Sequence, residues 1–124
     1  MARIIKEIEV DGKKLTALFD TGSNNTYIRK EFAPSNRIVL KKPLRVSLGG
    51  QRHEIKEWCA LQGEIDGLSF ITECYVIEKL GTIDGKQLDV IIGARTMEGW
   101  ELRLNPATGE LDLSGLKRRD FVEY

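Results

Sequence analysis

Histidine is nearly missing from this sequence: His53 stands alone in 124 residues. That scarcity removes most Ser-His-Asp and Cys-His schemes, because each needs an imidazole base and only His53 could supply it. His53 itself reads as a solvated strand residue rather than a catalytic base. Cysteine is scarce too. Cys59 and Cys74 are too few for a disulfide framework, and with one histidine they make a poor zinc set. They read as small buried hydrophobes, with a disulfide as the alternative if their strands pair in an oxidising or hyperthermophilic compartment. Net charge is also lacking: 19 Lys and Arg balance 19 Asp and Glu. The balance excludes a generally basic nucleic-acid binder and an acidic tail protein. No apolar run approaches the roughly 20 residues of a membrane-spanning helix, so no membrane segment is expected. The start, Met1-Ala2-Arg3-Ile4-Ile5-Lys6-Glu7, lacks the charged head, apolar stretch and cleavage site of a secretory signal. The expected place of work is therefore cytoplasmic, unless this is a soluble domain of a larger protein.

What is present is a globular composition, 41% apolar and 31% charged. The length points to a single domain over residues 1–124, large enough to bury its own core. Short alternating runs separated by glycine turns dominate. Residues 4–10 and 15–19 flank Asp11-Gly12, a strong hairpin signal. A polar loop follows at residues 20–25, then a short strand at 26–28 and one helical turn before Pro34. Residues 37–40 suggest another short strand. Residues 44–48 alternate with period two, meet Gly49-Gly50 and run back over 51–58, giving a glycine-tipped hairpin over about 43–58. A second Asp-Gly turn, Asp66-Gly67, joins 64–66 to 68–77, and 81–85 reads as a loop. Val90-Ile91-Ile92-Gly93 is an apolar run of buried-strand type, followed by one short helix near residues 94–100 and a last hairpin at 101–113. Strand content and turn spacing predict an all-β fold with one short helix.

The chemistry concentrates at Leu18-Phe19-Asp20-Thr21-Gly22-Ser23. An apolar strand delivers a carboxylate straight into a hydroxyl-glycine turn. The tripeptide alone is a weak signal, since Asp, Thr, Gly and Ser are ordinary turn residues. Its surroundings sharpen it: the glycine-tipped hairpin follows, then Ile91-Ile92-Gly93 leading into a helix, then a last hairpin. In type, order and spacing this arrangement resembles the retroviral-type aspartic proteases, the retropepsins and their cellular relatives, over residues 4–113.

The resemblance implies a closed, mostly antiparallel β-barrel and an aspartic endopeptidase that needs no metal or other cofactor. One Asp-Thr-Gly loop is half a site, because hydrolysis by paired carboxylates needs one as base toward water and one as acid toward the carbonyl. It therefore implies a homodimer in which Asp20 of each protomer meets its partner at a two-fold axis, with a peptide or protein as substrate. Thr21 would brace the two loops, Gly22 would let the backbone lie close to the peptide, and Ser23 would hydrogen-bond the outer oxygen of Asp20. Leu18 and Ile91 would line subsites beside the cleaved bond. Leu48, Gly49 and Gly50 would form a flap tip, and Asn24 would contact substrate backbone. Apolar walls imply apolar residues at the cleaved bond.

Two positions depart from the viral pattern. Asn24 stands where viral members carry Asp, and Ala94 where they carry Arg, with Arg95 one position later, so the internal ion pair of those enzymes is not expected in its usual form. The alternative reading is a non-catalytic retropepsin-like module that binds peptides or dimerises an assembly. Trp58 and Trp100 read as core residues, and Lys117-Arg118-Arg119 as a solvated end.

Overall fold

The computed structural model describes residues 3–123. Turn chemistry sets the register of most of its strands. Asp11-Gly12, Gly49-Gly50, Asp66-Gly67 and Asp84-Gly85 each hold both residues at positive φ, between 49° and 80°. That pairing is the signature of the tight two-residue hairpin turn, whose twist matches its flanking strands. The first turn closes β1 (Arg3–Val10) on β2 (Lys13–Asp20). After a polar loop come β3 (Tyr27–Arg29) and a single 3-10 turn, Lys30–Phe32. The Gly49-Gly50 turn joins β4 (Arg37–Leu48) to β5 (Gln51–Ile65), and Asp66-Gly67 joins β5 to β6 (Leu68–Ile77). A small pair, β7 (Thr82–Ile83) and β8 (Lys86–Gln87), precedes β9 (Val90–Ile92) and the helix α1 (Ala94–Gly99). The chain ends in β10 (Arg103–Asn105), β11 (Glu110–Asp112) and a second helix, α2 (Ser114–Arg118).

The fold is all-β with few helices, as the sequence predicts. Seven strands make one sheet in the order β1-β2-β9-β3-β6-β5-β4, and β1 also touches β5 where Glu9 faces Glu64. The strands expected at 37–40 and 44–48 are one strand. Its register against β5 shifts between Val39 and Leu44. Pro43 sits inside that shift, where no ladder N–H is required. β5 runs unbroken to Ile65, and the expected loop at 81–85 carries β7 and a tight turn. α2 is a correction to the single expected helix. Gly115 discourages helix in isolation, but a Cβ there would lie 1.9 Å from the Trp100 carbonyl oxygen, so close packing explains the residue. Trp100 is half-buried, donates its indole N–H to the Ile71 carbonyl (2.9 Å) and stacks edge-on against Phe121.

Period-two alternation divides the core in two. Leu15, Ala17 and Phe19 of β2 join Ile8, Val90 and Ile92 in the larger cluster. Leu18 faces the other way, with Ile55, Leu80, Leu88 and Ile91 in the smaller one. The smaller cluster lies under the site described next. No helix among the described residues is long and apolar enough to cross a membrane.

Candidate active site

Alternation that buries Phe19 must turn Leu18 and Asp20 to the opposite face. Asp20 ends β2 there, half-buried, with one carboxylate oxygen accepting the Gly22 N–H at 2.8 Å. The Ser23 N–H donates to the Asp20 carbonyl at 3.1 Å and closes the turn. Thr21 and Gly22 stand exposed at its tip. The Ser23 hydroxyl does not take the place expected of it: it donates to the Asn25 carbonyl at 3.0 Å instead of to Asp20.

β9 is what holds this loop. It lies parallel to β2, with Leu18 beside Ile91 and Phe19 beside Ile92, and antiparallel to β3 on its other side. Where β9 passes into α1, the Ala94 and Arg95 N–H groups donate to the Ser23 and Asn24 carbonyls at 2.7 and 3.1 Å. Gly93 fits only as glycine, since a Cβ would lie 2.2 Å from the Asn25 carbonyl oxygen. Its N–H donates to the Thr26 hydroxyl at 3.1 Å. Thr26 and Thr96 hydroxyls share a 2.6 Å hydrogen bond, and Thr96 shares another of 2.7 Å with Thr72. This hydroxyl chain ties the loop to α1 and β6 below the surface.

The ion pair that the sequence loses at Asn24 and Ala94 has a counterpart elsewhere. Asp89, just before β9, accepts Arg29 Nη1 with one carboxylate oxygen and the Thr16 N–H with the other, each at 2.9 Å. Its backbone N–H bonds the Thr16 carbonyl, and its carbonyl accepts the Arg29 N–H. One residue thus clamps β2, β3 and β9 together. Tyr27, buried beside Tyr75, has its hydroxyl pushed up in pKa by burial, with the Asn25 side chain partly offsetting it, so it stays neutral.

A cavity of about 270 Å³ opens over Asp20. Six residues singled out from the sequence line it: Leu18, Asp20, Ser23, Leu48, Gly49 and Ile91. Thr21, Gly22, Asn24 and Gly50 are not among its walls and are exposed nearby in the chain. The structure adds the charged or polar Arg3, Gln51, His53 and Thr82, the apolar Leu80, Ile83 and Leu88, and Gly81. His53 is therefore half-buried in the cavity wall, not solvated on a free strand as expected. Alternation carries the signal: His53 shares its face of β5 with Ile55, which is fully buried in the smaller cluster. Arg3 was equally legible, because the Asp11-Gly12 turn sets it opposite Asp20 in the β1–β2 ladder. No group of three or more His, Cys, Asp or Glu side chains among the described residues is placed to hold a metal ion.

A strand-borne Asp-Thr-Gly loop, held by a second apolar strand that ends in glycine, defines the class of aspartic proteases that carry one motif per chain. The aspartyl protease family model matches residues 7–96, and the chain belongs to that family. Within it the fold is retropepsin-like. The chain is similar in fold to the retroviral protease-like domain of Ddi1 from Leishmania major, with a TM-score of 0.67 over 91% of this chain and 89% of that one, at 18% identity. No curated protein sequence matches it.

Proposed function

We propose that this chain is an aspartic endopeptidase that works as a symmetric homodimer, in which the two Asp20 carboxylates activate a water to attack the peptide carbonyl. The observation that carries the reading is the setting of Asp20. Its carboxylate stands in the cavity between Leu18, Ile91 and Leu48, with one oxygen already engaged by the Gly22 N–H. The other oxygen remains for a water or a second carboxylate. Each chain carries one such loop, and its Thr21-Gly22 tip is exposed, as a loop that meets its own copy at a two-fold axis must be.

Two carboxylates about 3 Å apart would repel by roughly 5 kcal/mol at an effective dielectric of about 20. A pH unit is worth about 1.4 kcal/mol, so the pair would hold one shared proton over several units. One carboxylate is then base toward water while its protonated partner is acid toward the carbonyl.

In this reading the whole chain is one domain, and its sheet closes as a barrel through the β1–β5 contact. The β4–β5 hairpin is the flap, with Gly49-Gly50 as a tip that shifts φ and ψ at little cost. The peptide lies beneath it as an added strand, with apolar residues at the cleaved bond.

The test is cleavage of casein or insulin B chain between pH 3 and 7, with Asp20→Asn beside the wild type. A bell-shaped acidic profile, reduced at least 10³-fold in the variant, is the expected result. Equal cleavage by both proteins would refute the catalytic role of Asp20. A dimer that cleaves nothing would point to the peptide-binding module.

A further inference from the structure

Three charged or titratable side chains line the cavity: Asp20, Arg3 and His53. The ladder places Arg3 directly opposite Asp20, and directly opposed residues project from the same face of a sheet with Cβ atoms about 5 Å apart. His53 stands on the facing strand β5, on the side that Ile55 buries. Among the described residues, neither Arg3 nor His53 is engaged in an ion pair, although other arginines such as Arg29, Arg37 and Arg118 are. Two nitrogen donors, an exposed guanidinium and a half-buried imidazole, thus line a cavity whose remaining wall mixes Leu18, Leu80, Leu88 and Ile91 with Ser23, Gln51 and Thr82, and neither has a charged partner there. A guanidinium has five N–H donors and accepts nothing, and an imidazole always offers at least one N–H. The group that satisfies such a pair is a carboxylate.

We propose that Arg3 and His53 form an acid-selecting subsite, so that the favoured substrate is an extended peptide with Glu or Asp about two residues from an apolar cleaved bond. The inference rests on the endopeptidase reading of the same groove and adds a chemical class to it. The spacing follows from geometry. Side chains on one face of an extended strand recur about every 7 Å. The residue at the cleaved bond sits over the Asp20 pair, where a substrate carboxylate would be repelled. The next residue on that face comes within reach of the Arg3 side chain. Leu18, Leu80, Leu88 and Ile91 supply the apolar part of the wall beside this pair, where the lower local dielectric strengthens a charge-assisted hydrogen bond.

The experiment uses two fluorogenic peptides with Leu-Leu at the centre, identical except for Glu or Gln two residues away on each side. For wild type at its optimum, kcat/KM should be about tenfold higher for the Glu peptide, mostly through KM. In Arg3→Gln the Glu-to-Gln ratio should fall toward one, His53→Gln should lower it in part, and Arg3→Glu should favour a Lys peptide instead. A ratio near one in wild type, or a ratio that Arg3→Gln leaves unchanged, overturns the subsite. Direct binding to Asp20→Asn, followed by fluorescence anisotropy, separates this from the endopeptidase reading. Tighter binding of the Glu peptide with no cleavage by wild type would sustain the subsite and sink the protease. Cleavage by wild type with equal binding and equal rates would sink the subsite and leave the protease standing.

Discussion

Gly93 sits where the strand behind the Asp20 loop turns into α1, and one hydrogen there does the work a methyl group would prevent. The clash at 2.2 Å is with backbone, the Asn25 carbonyl, which cannot swing aside like a side-chain end. Relief would push β9 away from the loop that carries Asp20. Gly93→Ala is expected to cost about 3 kcal/mol, a fall in Tm of roughly 10 °C, measurable by urea denaturation and calorimetry. Activity should fall further than stability explains, because the Ala94 and Arg95 N–H bonds to the loop lengthen together. Residue-scale features were unevenly legible. Asp20 and Gly93 announce themselves by their neighbours in sequence. The hydroxyl of Ser23 does not, because its choice between the Asp20 carboxylate and the Asn25 carbonyl depends on how tightly the loop curls.

The β5–β6 hairpin shows how one turn decides chemistry far along its strands. Asp66-Gly67 sets Ile65 against Leu68, and counting back places Cys59 directly opposite Cys74. Both are free thiols buried in the larger cluster. Burial, then its hydrogen bond to Cys59, pushes the Cys74 thiol well above the usual range. The same hydrogen bond lowers Cys59, helped by Arg37. A raised folded pKa contributes stability that is complete below the unfolded value and is lost as pH climbs toward the folded one. Cys74 therefore costs stability in alkali, at up to about 1.4 kcal/mol per pH unit, while the lowered Cys59 opposes it in part. Urea midpoints should drop between pH 8 and 10 in wild type and drop less in Cys74→Ala. An equal drop in both would show that Tyr27, also raised by burial, or other groups carry the alkaline loss. The sequence left open whether these two strands pair; the register settles that they do.

On the scale of the whole molecule, the chain presents one Asp-Thr-Gly loop whose tip is exposed, with one Asp20 carboxylate oxygen bonded to the Gly22 N–H. If the working unit is a dimer, dilution must separate the two halves of the site. Specific activity should then fall as protein concentration drops through the dissociation constant, and sedimentation should show a shift from twice the protomer mass to one. Tm should rise with concentration, because association stabilises only the folded state. Constant specific activity over a thousandfold dilution, with a monomer in the centrifuge, would exclude the homodimer.

Much of this was encoded locally. A positive-φ turn needs two residues, strand alternation needs five or six, and the Asp-Thr-Gly loop is contiguous. So the hairpins, the faces of β2 and β9 and the place of Asp20 could all be read along the chain. The unbroken length of β4 and β5 and the helix α2 could not, because a register shift and close packing against Trp100 override local preference. Nor could the company Asp20 keeps. Sheet order inserts β9 between β2 and β3 and folds β5 over the groove, which brings Arg3, His53 and Ile91 to one cavity from distant parts of the chain. The sequence by itself determined the Asp-Thr-Gly loop and the strands that present it, because those rest on interactions between near neighbours. Only the tertiary structure decided what else lines the cavity over Asp20, because that depends on which strands lie side by side.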